Sequence, residues 1–92
     1  MGNFLGGSAY AMSRDIAEGY VLLSAPLLKG FTHSELAQLR QQLEKVQREI
    51  RADQPAADDI QAIQRRGRKI SRISSALLVI DTLKMRRKDL GG

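Results

Sequence analysis

The chain has no cysteine and no tryptophan, one histidine, two prolines and four aromatic residues in 92 positions. Each shortage removes a class of function. Without cysteine there is no disulfide and no thiolate metal site, so the redox compartment leaves no mark on the sequence. His33 alone leaves no zinc site built on histidines and no catalytic triad of the usual kinds. No run of eighteen or more apolar residues exists, which removes a helical membrane span. Four aromatics give little bulk for a core in so short a chain, and such lean domains often gain burial by association.

The opening MGNFLGGS lacks the basic start and apolar core of a secretory signal. Met1-Gly2 begins like a myristoylation site, but Gly6 stands where Ser or Thr is wanted. The expected location is the cytoplasm or the interior of an assembled particle.

What the sequence does contain is helical pattern and positive charge. Residues 1–11 read as a Gly-rich arm, 12–31 as a broken apolar helical segment limited by Gly19 and Pro26, and 32–90 as a pair of helices. The first strong helix, about 33–52, starts at a capping box: Thr32 can cap free amides while Glu35 reaches back. Leu36, Leu39, Leu43, Val46 and Ile50 then recur at alternating steps of three and four, a narrow heptad seam. After the turn RADQP a second helix is expected over about 55–87, with Pro55 in its first turn and Asp58 and Asp59 complementing its dipole. At 1.5 Å per residue the helices are roughly 28 and 48 Å long.

A short connection makes the two an antiparallel, coiled-coil-like hairpin. The register that follows sets Ile50 beside Ile60, Val46 beside Ile63, Leu43 beside Gly67, Leu39 beside Ile70 and Leu36 beside Ser74. Gly67 then sits on the seam, where a missing side chain lets the helices approach. Leu77 and Ile80 extend the inner face, while Ala76, Val79 and Leu83 form a second apolar stripe beyond the end of the shorter helix. A helix apolar on two sides is normally enclosed. Residues 16–31 can fold back over that overhang, and a second copy or a host protein would cover what remains, so Ala76, Val79 and Leu83 are the expected assembly interface.

The charge is segregated. Residues 1–31 and 32–53 are each neutral, and the whole surplus of five lies in 54–92, from nine Lys or Arg against four Asp or Glu. Arg65, Arg66, Arg68, Lys69 and Arg72 spread over the arc away from the seam, and Lys84, Arg86, Arg87 and Lys88 cluster at the helix end. Such an arc is either a solvated face or a surface for an acidic partner. Nucleic-acid phosphate is one such partner, through salt-dependent contacts. Base reading has no interleaved aromatic to support it. Membrane-surface binding is disfavoured because the opposite face is committed to the seam.

No arrangement of nucleophile, base and charge-holding group emerges. Asp58 and Asp59 are adjacent and point about 100° apart on a helix. Ser71, Ser74 and Ser75 lack a nearby base, and the Gly-rich start has no P-loop lysine. The expectation is an all-α, non-enzymatic subunit with no catalytic residue, cofactor or metal, working as a homo-oligomer or inside a larger assembly. The alternative is a small basic nucleic-acid-binding protein acting as a dimer.

Overall fold

A computed structural model describes residues 4–89 of the chain. Met1, Gly2, Leu90 and the side chain of Lys88 lie outside the described residues. The described residues form three α-helices and no strand: α1 (Ala9–Glu18), α2 (His33–Ala52) and α3 (Ile60–Asp89), preceded by a 3₁₀ turn at Leu5–Gly7. The molecule measures 51 × 27 × 19 Å.

Each helix begins where a side chain can accept from free backbone amides. Ser8 Oγ accepts from Ala11 N at 3.0 Å, so α1 starts inside the stretch expected to be a loose arm. Thr32 Oγ1 accepts from Glu35 N at 3.0 Å, and Thr32 N donates to Glu35 Oε1 at 2.9 Å, closing the capping box of α2. Asp59 Oδ1 accepts from Ala62 N at 3.0 Å, and α3 starts there rather than at Pro55. The reason is local. Asp59 N donates to Ala56 O in a turn, and an aspartate caps a helix better than it propagates one.

This later start belongs to a different register. Antiparallel packing of α2 on α3 is marked by Arg40 beside Asp81, Gln47 beside Ser74, and Arg66 at the carbonyls of Ile50 and Arg51. Leu43 therefore lies abreast of the middle of α3, not of Gly67. Leu36, Leu39, Leu43 and Val46 are fully buried with Ile73, Ala76 and Ile80, while Ile50 and Leu77 pack against that core half-buried. Ile70 is half-buried. The expected seam residues Ile60 and Ile63 are 59% and 41% exposed, and a side chain added at Gly67 would meet nothing within 4 Å. The stretch of α3 that outruns its partner is thus its first turn and a half, Ile60–Arg65, beyond the end of α2.

The N-terminal part closes the core from a third side. Met12, Ile16 and Ala17 of α1, with Leu23, Leu28 and Phe31 of the following segment, join the buried cluster. Val79 and Leu83 pack against it from α3. Tyr10 Oη donates to Glu49 Oε1 at 2.9 Å, and Phe4 meets Phe31 edge-on at 5.7 Å, tying the start of the chain to both ends of α2.

Candidate functional site

Two surfaces stand out among the described residues once the core is closed. The first is a groove along α3 between residues 71 and 87, walled on its other side by residues 19–29. It is made of three adjoining hollows of about 440, 290 and 470 Å³ that share Val79, Ala25 and Leu83. Its floor is the buried Ile16, Leu23 and Ala76 with the half-buried Val21, Val79 and Leu83. Leu22 and Leu78 stand on opposite walls, 89% and 67% exposed. The cations Lys29, Arg72, Arg86 and Arg87 line its edge, and none of its lining residues is acidic.

The second is a polar hollow of about 410 Å³ where α1, the end of α2 and the start of α3 meet. Arg14, Arg65, Arg66 and Lys69 face Glu49, Asp53 and Asp59 across it. The two signs nearly balance, which is poor for capturing a free anion.

The expected assembly stripe is corrected in one member. Ala76 is core, 3% exposed, because α1 and the segment after it cover that side of α3. Val79 and Leu83 keep one edge in the groove. The residues that the sequence reading missed are Leu22, Leu78 and Met85. Leu78 and Met85 fall on the outward side of α3 at a spacing of seven. That periodicity is visible in the sequence only when the inner face is known to be Ile73, Ala76 and Ile80.

Four cations of the expected basic partner-binding face make contacts within the chain. Arg66 donates to Ile50 O at 3.2 Å and Arg51 O at 2.8 Å. Arg72 donates to Ala17 O at 3.0 Å, and Arg87 to Phe31 O at 2.8 Å and the carbonyls of Leu28 and Lys29 at 3.4 Å. Lys69 Nζ pairs with Glu18 at 3.0 Å. Arg66 and Arg72 take carbonyls at the ends of α2 and α1 and complement the negative poles there, whereas Arg87 lies on the turn that precedes α2. Arg65, Arg68 and Arg86 are exposed and make no hydrogen bond or ion pair with the described residues.

Arg40 holds Asp81 through Nε and Nη2 at 2.8 and 3.2 Å, and Glu44 through Nη1 at 2.7 Å. Its guanidinium keeps the Asp81 carboxyl below the ordinary carboxylate range, with Lys84 adding to the effect against partial burial. Ser13, buried, donates to Ala9 O at 2.8 Å, and His33 is exposed at the start of α2. Among the described residues no helix is long and apolar enough to cross a membrane, and no cluster of His, Cys, Asp or Glu could hold a metal.

No protein-family model, curated protein or solved structure matches this chain significantly.

Proposed function

We propose that this chain is a non-enzymatic structural subunit, a small helical module that assembles with protein partners through the apolar groove along α3. The observation that carries the reading is the pair Leu22 and Leu78. Both leucines project into water from opposite walls of a groove whose floor is already apolar. Single exposed apolar side chains are ordinary, whereas a contiguous apolar channel rimmed by charge marks an interaction surface.

A second reading, a small nucleic-acid-binding protein acting as a dimer, rests on Arg65, Arg68 and Arg86, which have no intramolecular partner among the described residues. The other four cations once grouped with them are occupied by the chain's own carbonyls and Glu18. Three scattered cations support weaker and less salt-sensitive phosphate binding than seven. Retention on bare DNA or RNA that is lost with Arg65→Glu and Arg68→Glu would favour this second reading.

The test of the first is native mass, for the purified chain and for the chain in gently lysed cells. The wild type is expected above its monomer mass of 10.2 kDa. The double variant Leu22→Glu with Leu78→Glu is expected to run as a monomer with unchanged helical content. A wild type that runs as a monomer in both settings would overturn the proposal.

A further inference from the structure

The groove carries charge of one sign. Its lining includes Lys29, Arg72, Arg86 and Arg87 and no acid. Arg87 is occupied by carbonyls, and Arg72 gives one hydrogen bond to Ala17 O while staying exposed. Lys29 and Arg86 are exposed, and their side chains have no partner among the described residues. The acids next to lining residues in the chain are committed elsewhere. Glu18 pairs with Lys69 at 3.0 Å, and Asp81 is held by Arg40 on the α2 side of α3. Asp15 turns to Gly6, its Oδ2 3.4 Å from where a side chain there would begin. Along the α3 wall Arg72, Ser75, Val79, Thr82 and Arg86 recur at steps of three, four, three and four, all at least partly exposed. That is one stripe of a helix, the pattern along which a second helix lies. The stripe is cationic at its two ends, about 21 Å apart, and apolar in its middle, where Leu78 projects beside Val79.

We propose that the groove receives an acidic amphipathic helix of a different protein. Its apolar side would lie on Val79 between Leu22 and Leu78, with carboxylates toward Arg72 at one end and Lys29 and Arg86 at the other. The proposal rests on the assembly reading above and specifies its partner. The groove between residues 71 and 87 is about 24 Å long, which matches about sixteen residues of helix. An amphipathic helix laid in such a groove is a recurring mode of recognition, and the rim charges select the partner's sign. A second copy is a poor occupant. Groove against groove would set two basic rims together. The hollow at the opposite end of the molecule mixes Arg14, Arg65, Arg66 and Lys69 with Glu49, Asp53 and Asp59, so it offers no acidic face. A flat lipid surface would rest on Leu22 and Leu78 and leave the channel between them unfilled, whereas the ridge of a helix fills it. With a different protein as partner, the mass above the monomer is expected in lysed cells.

The probe is a fluorophore-labelled synthetic peptide of about 18 residues, long enough to span the groove as a helix. It carries leucine at alternating steps of three and four and glutamate on both flanks. A second peptide has lysine in place of every glutamate. Binding to the full-length protein is read by anisotropy up to about 1 mM protein. The wild type is expected to bind the glutamate peptide at least about tenfold more tightly than the lysine peptide. Lys29→Glu with Arg86→Glu is expected to reverse that preference. Arg48→Glu with Arg65→Glu makes the same change of net charge away from the groove and is expected to leave the preference in place. Leu22→Ser with Leu78→Ser is expected to weaken the glutamate peptide by about tenfold or more. Circular dichroism verifies that every variant keeps its helices. No binding of the glutamate peptide, equal binding of both peptides, or a preference that shifts as much with the Arg48 and Arg65 pair would overturn the proposal. Two further results would overturn it by naming another occupant. One is binding to phosphatidylcholine–phosphatidylserine vesicles that the serine variant loses while the peptide stays unbound. The other is self-association of the purified wild type that the serine variant loses. In every such case a native mass above the monomer keeps the assembly reading, which falls only with a monomer in both settings.

Discussion

Arg72 of α3 donates to the carbonyl oxygen of Ala17 at 3.0 Å, and its guanidinium carbon lies 3.0 Å from where a side chain on Gly19 would begin. The two residues make one joint. Gly19 adopts φ +87° to end α1, and the amides of Gly19 and Tyr20 take the carbonyls of Ile16 and Asp15. The next open carbonyl, Ala17, is left for Arg72. Replacing Arg72 with alanine should cost about 1 kcal/mol of folding stability. Lysine should not restore it, because an ammonium lacks the planar fork that lies over Gly19. Gly19→Ala should cost about 1–2 kcal/mol from the left-handed backbone alone. Urea unfolding of the variants measures all of these.

Gly67 is the opposite case. It is helical, exposed, and has open space where a side chain would sit. Gly67→Ala should therefore stabilise the protein by about 0.5–1 kcal/mol, through helix propensity and a less flexible unfolded chain. Destabilisation in the same urea titration would mean that the helices do meet at Gly67.

The contrast between these glycines shows where the sequence is informative. The all-helical class, the capping box at Thr32 and Glu35, and the burying face of α2 are local properties, and local patterns carry them. The register of α3 is not local. DQPAADD offers two legitimate starts, Pro55 in a first turn and Asp59 as a cap, and both satisfy the same rules. Ile60, Ile63, Gly67 and Ile70 pair plausibly with α2 when only two helices are considered. The third element decides the matter, since Met12 and Ile16 of α1 complete a core around Ile73, Ala76 and Ile80 that the shorter pairing leaves open. The contacts of the basic arc are non-local for a related reason. Whether an arginine meets solvent or a neighbouring carbonyl depends on where other helices end, so Arg66, Arg72 and Arg87 look alike in sequence to Arg65 and Arg68. The groove walls inherit the same dependence, since Leu78 faces outward only in the observed register.

Asp81 gives a pH signature of that register. Arg40 lowers its folded-state affinity for a proton, so the pair contributes stability above the unfolded carboxylate value of about 3.9 and loses it as pH falls through the lower folded value. Both side chains are partly exposed, at 33% and 44%, which limits the gain to about 1 kcal/mol or less. Asp81→Asn should therefore be less stable than wild type at pH 7, and the difference should close as pH falls below the lowered folded-state value. High salt should narrow the neutral-pH difference. A gap that persists unchanged in acid would show that the carboxylate charge is not what Arg40 recognises.

The strongest check on the register compares Leu43 and Ile73 with Ile60 and Ile63. Leu43 and Ile73 are fully buried in one core. Truncating either to alanine removes packed atoms and leaves a cavity, at about 2–5 kcal/mol each. Ile60→Ala and Ile63→Ala remove side chains that the folded monomer leaves largely in water, and each should stay within about 0.5 kcal/mol on folding. Urea unfolding at low protein concentration measures all four, since association contributes nothing there. A cost at Ile63 comparable to that at Leu43 under those conditions would restore the register that sets Val46 beside Ile63 and Leu43 beside Gly67.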